Sequence, residues 1–456
     1  MIDFSDFNIQ FAKQSQRGVY PSDPTYKGWL VGPGLMGKPE IGQINVGDAN
    51  PWTPSIKRIR GQQAGGDITL LVQPNDVGLL LYSVLGSKSV AGAGDPYTHT
   101  FTPYTDASSC PYLTFWQYTD GRWEQFRDCQ CVKAELTVGN DASDGFMLIK
   151  LTVVGMARKK KVAAPSVPAT AESDVYHMLD AAGYWCLSGD FTNIDHTAVA
   201  TDLATAITKA NALKAAYNLH CAVSSGRHHK AADAVNTISA LNATDLASLL
   251  TLLTEVKTDM NAHMASTTVH YFADVTNTVS HANPTDLPTA LTFLQEVGGA
   301  DENVPGDYNA HLGLRAGTKS FTLVIDSAAS SIKGEGMTAY AVQRKRGLIT
   351  LGVELLAEDW REHDLVHYGD PAVATGTEAT DEIQTGGFDV KWIASTSGAE
   401  RSLKVTMPQF DYDPNGFDAM DEGDPEGGEK YMVVGGNASG SAPLVTVTLL
   451  NSVASY

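Results

Sequence analysis

The sequence predicts a mainly β protein: two β-sandwich or barrel domains in tandem, with an all-α helical repeat domain inserted. Three observations predict it. The outer thirds of the 456-residue chain hold short runs rich in Val, Ile, Thr and aromatics between Gly, Asn, Asp and Ser clusters. Forty-two Gly and twenty Pro supply the turns such a fold needs. Between the outer thirds the apolar period changes to that of a helix, and segments echo one another at a fixed spacing. The expected boundaries are 1–161 (first β domain), 162–190 (linker and first strand of the second), 191–315 (helical repeat) and 316–456 (second β domain).

In the first region "DITLLV" (67–72), "YLTFWQY" (112–118), "CVKAELTV" (131–138) and "FMLIKLTVVG" (146–155) read as strands, the last two as a hairpin across "GNDASDG". "VGLLLYSVLG" (77–86) is too densely apolar for a strand and ends at Gly86, so it reads as a short helix with a glycine stop. The stretch 38–63, carrying Lys57, Arg58 and Arg60, reads as a long loop. "RKKK" (158–161) reads as a solvated loop before a Pro/Ala/Ser linker.

In the middle, Asp245-Leu246 recurs as Asp286-Leu287 and Glu255-Val256 as Glu296-Val297, each 41 positions on. His229, Asp233 and Asn236 recur as His270, Asp274 and Asn277 at the same offset. An earlier copy holds Thr201-Asp202-Leu203 and ends in Tyr217-Asn218-Leu219-His220. The other two end in Asn261-Ala262-His263 and, after roughly seven extra residues, Asn309-Ala310-His311. Each copy holds an apolar stripe, such as Leu246, Leu249, Leu250, Leu253, Val256 and Met260. Asn242 and Asn283 are expected as N-caps, with Pro284 first in its helix and Asp245 and Asp286 in the first turn; Val199 holds the cap position of the first copy.

The last region returns to strand patterns: "SFTLVID" (320–326), "MTAYAVQ" (337–343), "LITLGVELL" (348–356), "FDVKWIA" (388–394), "SLKVTMP" (402–408) and "LVTVTLL" (444–450). "GYWCLSGD" (183–190) is assigned to this unit, ahead of the insertion.

The net charge of −20 argues against a protein that grips nucleic acid, since phosphate affinity comes from Lys and Arg. It does not exclude a protein that nucleic acid must pass without sticking, since an acidic wall binds DNA poorly. Five cysteines, Cys110, Cys129, Cys131, Cys186 and Cys221, read as reduced thiols. "MIDFSDFNIQ" lacks the apolar run of a signal peptide, and no window is apolar enough to span a membrane.

Several patterns invite chemistry. "GPGLMGK" (32–38) fits Gly-x-Gly-x-x-Gly, but Pro39 follows and no helix begins, so it reads as a turn. Asp411, Asp413, Asn415, Gly416 and Glu422 match an EF-hand calcium loop, yet a strand ending in Pro408 precedes them and "GDPEGGE" follows; an exposed acidic loop is the competing reading. His263, His270 and Asp274 in one repeat unit, and His220, His229 and Asp233 in the other, offer zinc-type donors. Against that, His220 and His263 just past helix ends would favour the helix dipole as cations, and His229/Asp233 and His270/Asp274 would be i,i+4 neighbours if helical. There is no Gly-x-Ser-x-Gly elbow and no His-Glu-x-x-His, so no enzyme and no cofactor are expected.

"GDITLLVQPNDVGLLLYSVLG" (66–86), "YTHTFTP" (97–103), the strand from Phe126 to Cys131-Val132, the "LTV…IKLTVVG" hairpin, "KGEGMTAYAVQRKRGLITLGVEL" and "SLKVTMPQFDYD" resemble, in that order, the major tail tube proteins of long-tailed bacteriophages. The resemblance covers about 1–190 and 316–456. It implies two tail-tube-type β domains and a structural virion protein, assembled in the host cytoplasm, whose trimers imitate a six-fold ring and stack into a tube for genome delivery. Implied partners are the chain itself, tail terminator and tail-tip proteins and, transiently in the lumen, tape measure protein and DNA. The helical insertion departs from the common pattern and resembles a module of assorted phage structural proteins; it is expected on the outer surface. Lys57, Arg58 and Arg60 are expected to carry inter-ring contacts, and the lumen is expected to be acidic. A receptor- or carbohydrate-binding virion protein is the alternative, with Trp116 and Trp123 expected to be packed rather than displayed. A metal-dependent enzyme using the His/Asp repeat is the second.

Overall fold

The structure is a computed structural model. It describes the chain apart from residues 1–7, 33, 45–55, 120, 140–143, 158, 168, 170–173, 179–180, 187–193, 195–197, 224–228, 230, 271–272, 276, 300–305, 313, 316–317, 334–338, 345–346, 357–366, 369–377, 380–384, 396–399, 413–427 and 436–442. The chain is mainly β, and every strand pairing described is antiparallel.

The first elements are β1 (Asn8–Lys13), β2 (Tyr26–Trp29), β3 (Met36–Ile44), β4 (Ile56–Leu71), helix α1 (Val77–Leu85), β5 (Gly86–Ala91), β6 (Tyr97–Pro103), β7 (Leu113–Thr119), β8 (Arg122–Gly139), β9 (Leu148–Gly155) and β10 (Lys160–Val162). Next come β11 (Ala181–Cys186) and helices α2 (Leu203–Cys221), α3 (Leu246–Met264), α4 (Leu287–Gly298) and α5 (Gly306–His311). The rest is β12 (Leu314–Arg315), β13 (Thr318–Asp326), β14 (Ser330–Lys333), β15 (Ala339–Gln343), β16 (Leu348–Leu356), β17 (Thr385–Ser395), β18 (Arg401–Tyr412), β19 (Gly428–Gly435) and β20 (Thr446–Asn451).

Eighteen strands share one hydrogen-bonded network; β14 and β15 pair apart from it. The early and late strands meet twice. β8 pairs with β13, with Val138 opposite Phe321, and β6 pairs with β20, with Phe101 opposite Val447. β8 is flanked on one edge by β7 and β13 and on the other by β10 and β9. Period-2 alternation explains the burial: Phe321, Leu323 and Ile325 of β13 and Ile349, Leu351 and Val353 of β16 all turn inward. One apolar cluster joins Phe11, Phe115 and Leu136 to Phe321, Leu351 and Leu449. Fully burying each such side chain stabilises by roughly 1.5–3 kcal/mol.

Helix α1 stops where Gly86 takes φ 77°, a left-handed cap that costs glycine nothing. Late residues fasten onto this corner. Arg344 donates to the carbonyls of Ser83 and Val84, at 3.0 and 3.2 Å, a cation at a helix C-terminus. It also donates to Cys131 O at 3.0 Å, and Ser327 Oγ donates to Val132 O at 2.5 Å, both at the bulge in β8.

Several expectations are corrected. Residues 38–44 and 56–63 are not loop: they belong to β3 and β4, which pair antiparallel, with Lys57 opposite Gln43, Arg58 opposite Gly42 and Arg60 at a bulge. Gly, Pro and charged residues hid the alternation there. The basic run includes a short strand, Lys160 and Lys161 pairing with Gln125 and Glu124, while Lys159 forms an ion pair with Glu124. The strand at Pro408 runs on to Tyr412, so Asp411 is a strand residue opposite Thr385 and Val434. Asp413, Asn415 and Glu422 lie outside the described residues. Trp116 is buried within β7, as expected of a packed residue.

The helices begin three residues later than expected. Asp202, Asp245 and Asp286 are themselves the N-caps, each accepting from the N–H three residues on, while the hydroxyls of Thr205, Ser248 and Thr289 reach back. All three copies share this capping box, the first included. Pro288, not Pro284, stands in the first turn of α4. The helices bury a separate cluster, with Ala206, Leu213, Leu253, Val256, Phe293 and Leu294 at its centre. Among the described residues, no helix is long and apolar enough to cross a membrane.

Candidate functional site

The three helical copies close on themselves. Asn218, near the end of α2, exchanges two hydrogen bonds with the backbone of Ile238, each 2.9 Å, just as a β partner would. Asn261 at the end of α3 does the same with Val279, at 3.1 and 2.8 Å. Asn309 in α5 does the same with Ile194, at 3.0 and 3.1 Å, and Ile194 precedes α2. Each asparagine therefore clasps the segment leading into the next helix, and the last clasps the first.

Two residues after each asparagine comes a histidine, so the closed ring turns His220, His263 and His311 toward one another. His220 and His263 lie in the last turns of α2 and α3, not past them. His270 joins from the loop after α3, where it bridges His229 of the preceding loop. His220, His263, His270 and His311 are all buried, with one potential ligand atom from each within 4.8 Å of the others. The rings of His263 and His270 lie 4.3 Å apart, and those of His270 and His311 5.1 Å.

The expected His/Asp grouping by repeat unit is corrected. The described residues leading into Asp233 and Asp274, 231–232 and 273, are not helical, so the i,i+4 helical pairing expected of each unit does not form. Asp233 instead bonds His263 Nδ1 at 2.8 Å, and Asp274 bonds His311 Nδ1 at 3.0 Å. Each aspartate also accepts from an asparagine three residues on, Asn236 or Asn277, at 2.7 and 2.8 Å. The loop of one copy thus orients the helix-end histidine of the next. Of His263, His270 and Asp274, which the sequence offers together as zinc-type donors, the two histidines lie in the cluster, whereas Asp274 backs His311, a residue that a reading by unit leaves out. The register Asn-x-His, repeated at 218–220, 261–263 and 309–311, was the signal for it.

The electrostatics follow from burial. Desolvation, reinforced by the neighbouring imidazoles, pushes His263 and His270 down to about 3 and His311 to about 4, against the opposing pull of Asp233 on His263 and of Asp274 on His311. The cation–dipole role expected of His263 therefore fails: its ring is neutral at neutral pH. Burial opposes ionisation of Asp233 and Asp274 too, yet hydrogen bonds from asparagine and histidine hold both well below the usual carboxylate range. Nearby Asp307 is pushed up to about 7 by burial and by the charges of Glu296 and Asp274.

Such a site can bind a cation through neutral nitrogen. The buried thiol of Cys221 lies 4.0 Å from His263 Nδ1, outside the ring of imidazoles. No protein-family model and no curated protein matches this chain.

Proposed function

We propose that this chain is a structural virion protein: two tail-tube-type β domains in tandem, with the helical ring inserted in the second after its first strand, polymerising into stacked rings that conduct a genome. The observation that carries the reading is the β3–β4 hairpin. β4 pairs with β9 only from Ala64 onward, whereas residues 56–63 continue against β3 alone. The hairpin therefore extends beyond the sheet by about eight residues, roughly 25 Å at strand rise. An arm of that length suits a contact from one ring to the next, with Lys57, Arg58 and Arg60 placed along it.

Four further features support the reading. Among the described residues β3 and β5 each pair on one edge only, which leaves edges a neighbouring subunit can extend. The pairing of early with late strands at β8–β13 and β6–β20 repeats inside the chain the edge-to-edge joint that a ring needs between chains. The Asn309–Ile194 clasp brings the ends of the helical segment together, as an insertion requires. The net charge of −20 suits a channel wall that DNA slides past.

Negative-stain electron microscopy of the purified chain at high concentration tests the proposal. Rings or tubes are expected, and shortening the hairpin between residues 41 and 59 should leave rings that do not stack. Persistent monomers would overturn the structural reading; tubes unaffected by the shortening would remove the arm from it.

A further inference from the structure

We propose that His220, His263, His270 and His311 form a structural site for a divalent transition metal of the zinc class, which ties the three helical copies together at their centre.

The argument rests on where the imidazole protons sit. A neutral imidazole has one N–H and one lone pair. His263 Nδ1 faces the ionised Asp233 and His311 Nδ1 faces the ionised Asp274, and a carboxylate can only accept. His270 Nδ1 lies 3.2 Å from Ser266 O, and His229 Nδ1 2.7 Å from Val223 O; a carbonyl too can only accept. All four rings therefore carry their proton on Nδ1. That leaves four Nε2 lone pairs, and those of His263, His270 and His311 belong to rings of the cluster. His263 Nε2 is buried and, among the described residues, makes no hydrogen bond. With its proton on Nδ1, His229 accepts at Nε2 from His220 Nε2–H at 3.2 Å, which fixes the tautomer of His220. A desolvated acceptor such as His263 Nε2 is costly to bury without a partner, and a cation held among the four rings supplies one.

The donor set selects the ion. Uncharged imidazoles suit zinc, copper and nickel and do not suit calcium or magnesium, which take oxygen. Tetrahedral zinc at about 2.0–2.1 Å from nitrogen sets its ligands roughly 3.3 Å apart, so the cluster, within 4.8 Å throughout, closes by small ring movements. Carboxylates behind the imidazoles are the usual outer partners of histidines on zinc, since they fix the tautomer and ring direction. Asp233 and Asp274 also offset the two charges of the ion. Burial of all four rings leaves no open position for a substrate, so the site is structural.

The full-length chain, dialysed against a chelator, is titrated with zinc alone, and bound metal is measured by elemental analysis. About one equivalent is expected. Cobalt in its place should give the visible absorption of a four-coordinate ion. A His220→Gln/His263→Gln double variant should lose the equivalent, while His281→Gln, altering a half-exposed ring paired with Glu296, should keep it. Asp233→Asn should weaken zinc about 10–100-fold with the equivalent retained at saturation. A chain with intact helical circular dichroism that holds no stoichiometric zinc overturns the proposal, as does undiminished binding by the double variant. If the double variant does not fold, the wild-type cobalt spectrum decides: a six-coordinate spectrum, or none, overturns it.

Discussion

Deep in the sheet, Phe321 stacks on Phe388 at 5.3 Å and tilts against Trp392 at 5.1 Å. At the centre of the helical ring the same depth is occupied by four imidazoles with two carboxylates behind them. The sheet gathers its strands by transferring apolar surface from water, an undirected force that tolerates many partners. The helical ring carries an apolar stripe as well, but its copies are indexed by directed bonds, asparagine to backbone and aspartate to histidine. Three near-identical units packed by grease alone could slip past one another. Hydrogen bonds that each copy makes only to the next fix their order.

Truncating both cores gives the largest effects and can break the contrast outright. Phe321→Ala should cost about 3–5 kcal/mol and Leu253→Ala about 2–5 kcal/mol. In urea unfolding, the first should shift the near-ultraviolet signal of the sheet and the second the helical signal at 222 nm. If either variant shifts both signals together, the two cores form one cooperative unit and the contrast fails.

Acid should separate the two regions in the chelator-treated chain. Free histidine titrates near 6.5, whereas His263 and His270 in the ring do so at about 3 and His311 at about 4. The unfolded chain therefore binds these protons first. The ring keeps its full stability above about pH 6.5 and loses it as the pH falls from there toward 3 to 4. Asp233 and Asp274, with depressed values, add loss of the same sign below about pH 4. The 222 nm signal followed from pH 8 to pH 3 should fall before the sheet does; a sheet that melts first contradicts the assignment.

Smaller changes sharpen the comparison at its edges. Gly86→Ala puts a Cβ at a left-handed residue, 2.6 Å from Cys110 Sγ and 2.8 Å from Tyr104 Cβ, and should cost at least about 1–2 kcal/mol, read as a lower denaturant midpoint. Asp245→Ala removes one capping box and should cost about 1 kcal/mol, confined to the helical transition.

Much of the fold was legible because period and burial agree. The span expected for "LITLGVELL" is β16 residue for residue, and "VGLLLYSVL" with its Gly86 stop is α1. The β3–β4 arm was not legible, because each strand has one partner along much of its length and no face that must be apolar. β19, "GEKYMVVG", was hidden by its glycine-rich acidic surroundings. For the site, the histidines were visible and their grouping was not. A linear reading pairs His270 with Asp274, four positions away, whereas the ring pairs Asp274 with His311, 37 positions away. The clasp of Asn309 onto Ile194 closes the ring that carries His311, and no local pattern announces a bond across 115 residues. The caps were misplaced by three residues because Asn and Asp both suit the position, and the decision lies with the Thr or Ser three residues beyond the Asp.

That same clasp bears on how the chain folds. Phe321 must find Val138 to start the β8–β13 joint, and in an open chain the two are separated by 183 positions. The helical ring is built from neighbours about forty residues apart, so its contacts are reached sooner than those of the sheet. Once Asn309 holds Ile194, 115 of the intervening positions no longer count toward the search. By the logarithmic loop law the joint becomes easier to close by about 0.9 kcal/mol, or roughly four-fold in population. A segment that interrupts the sheet in sequence thus shortens the path by which the sheet is made.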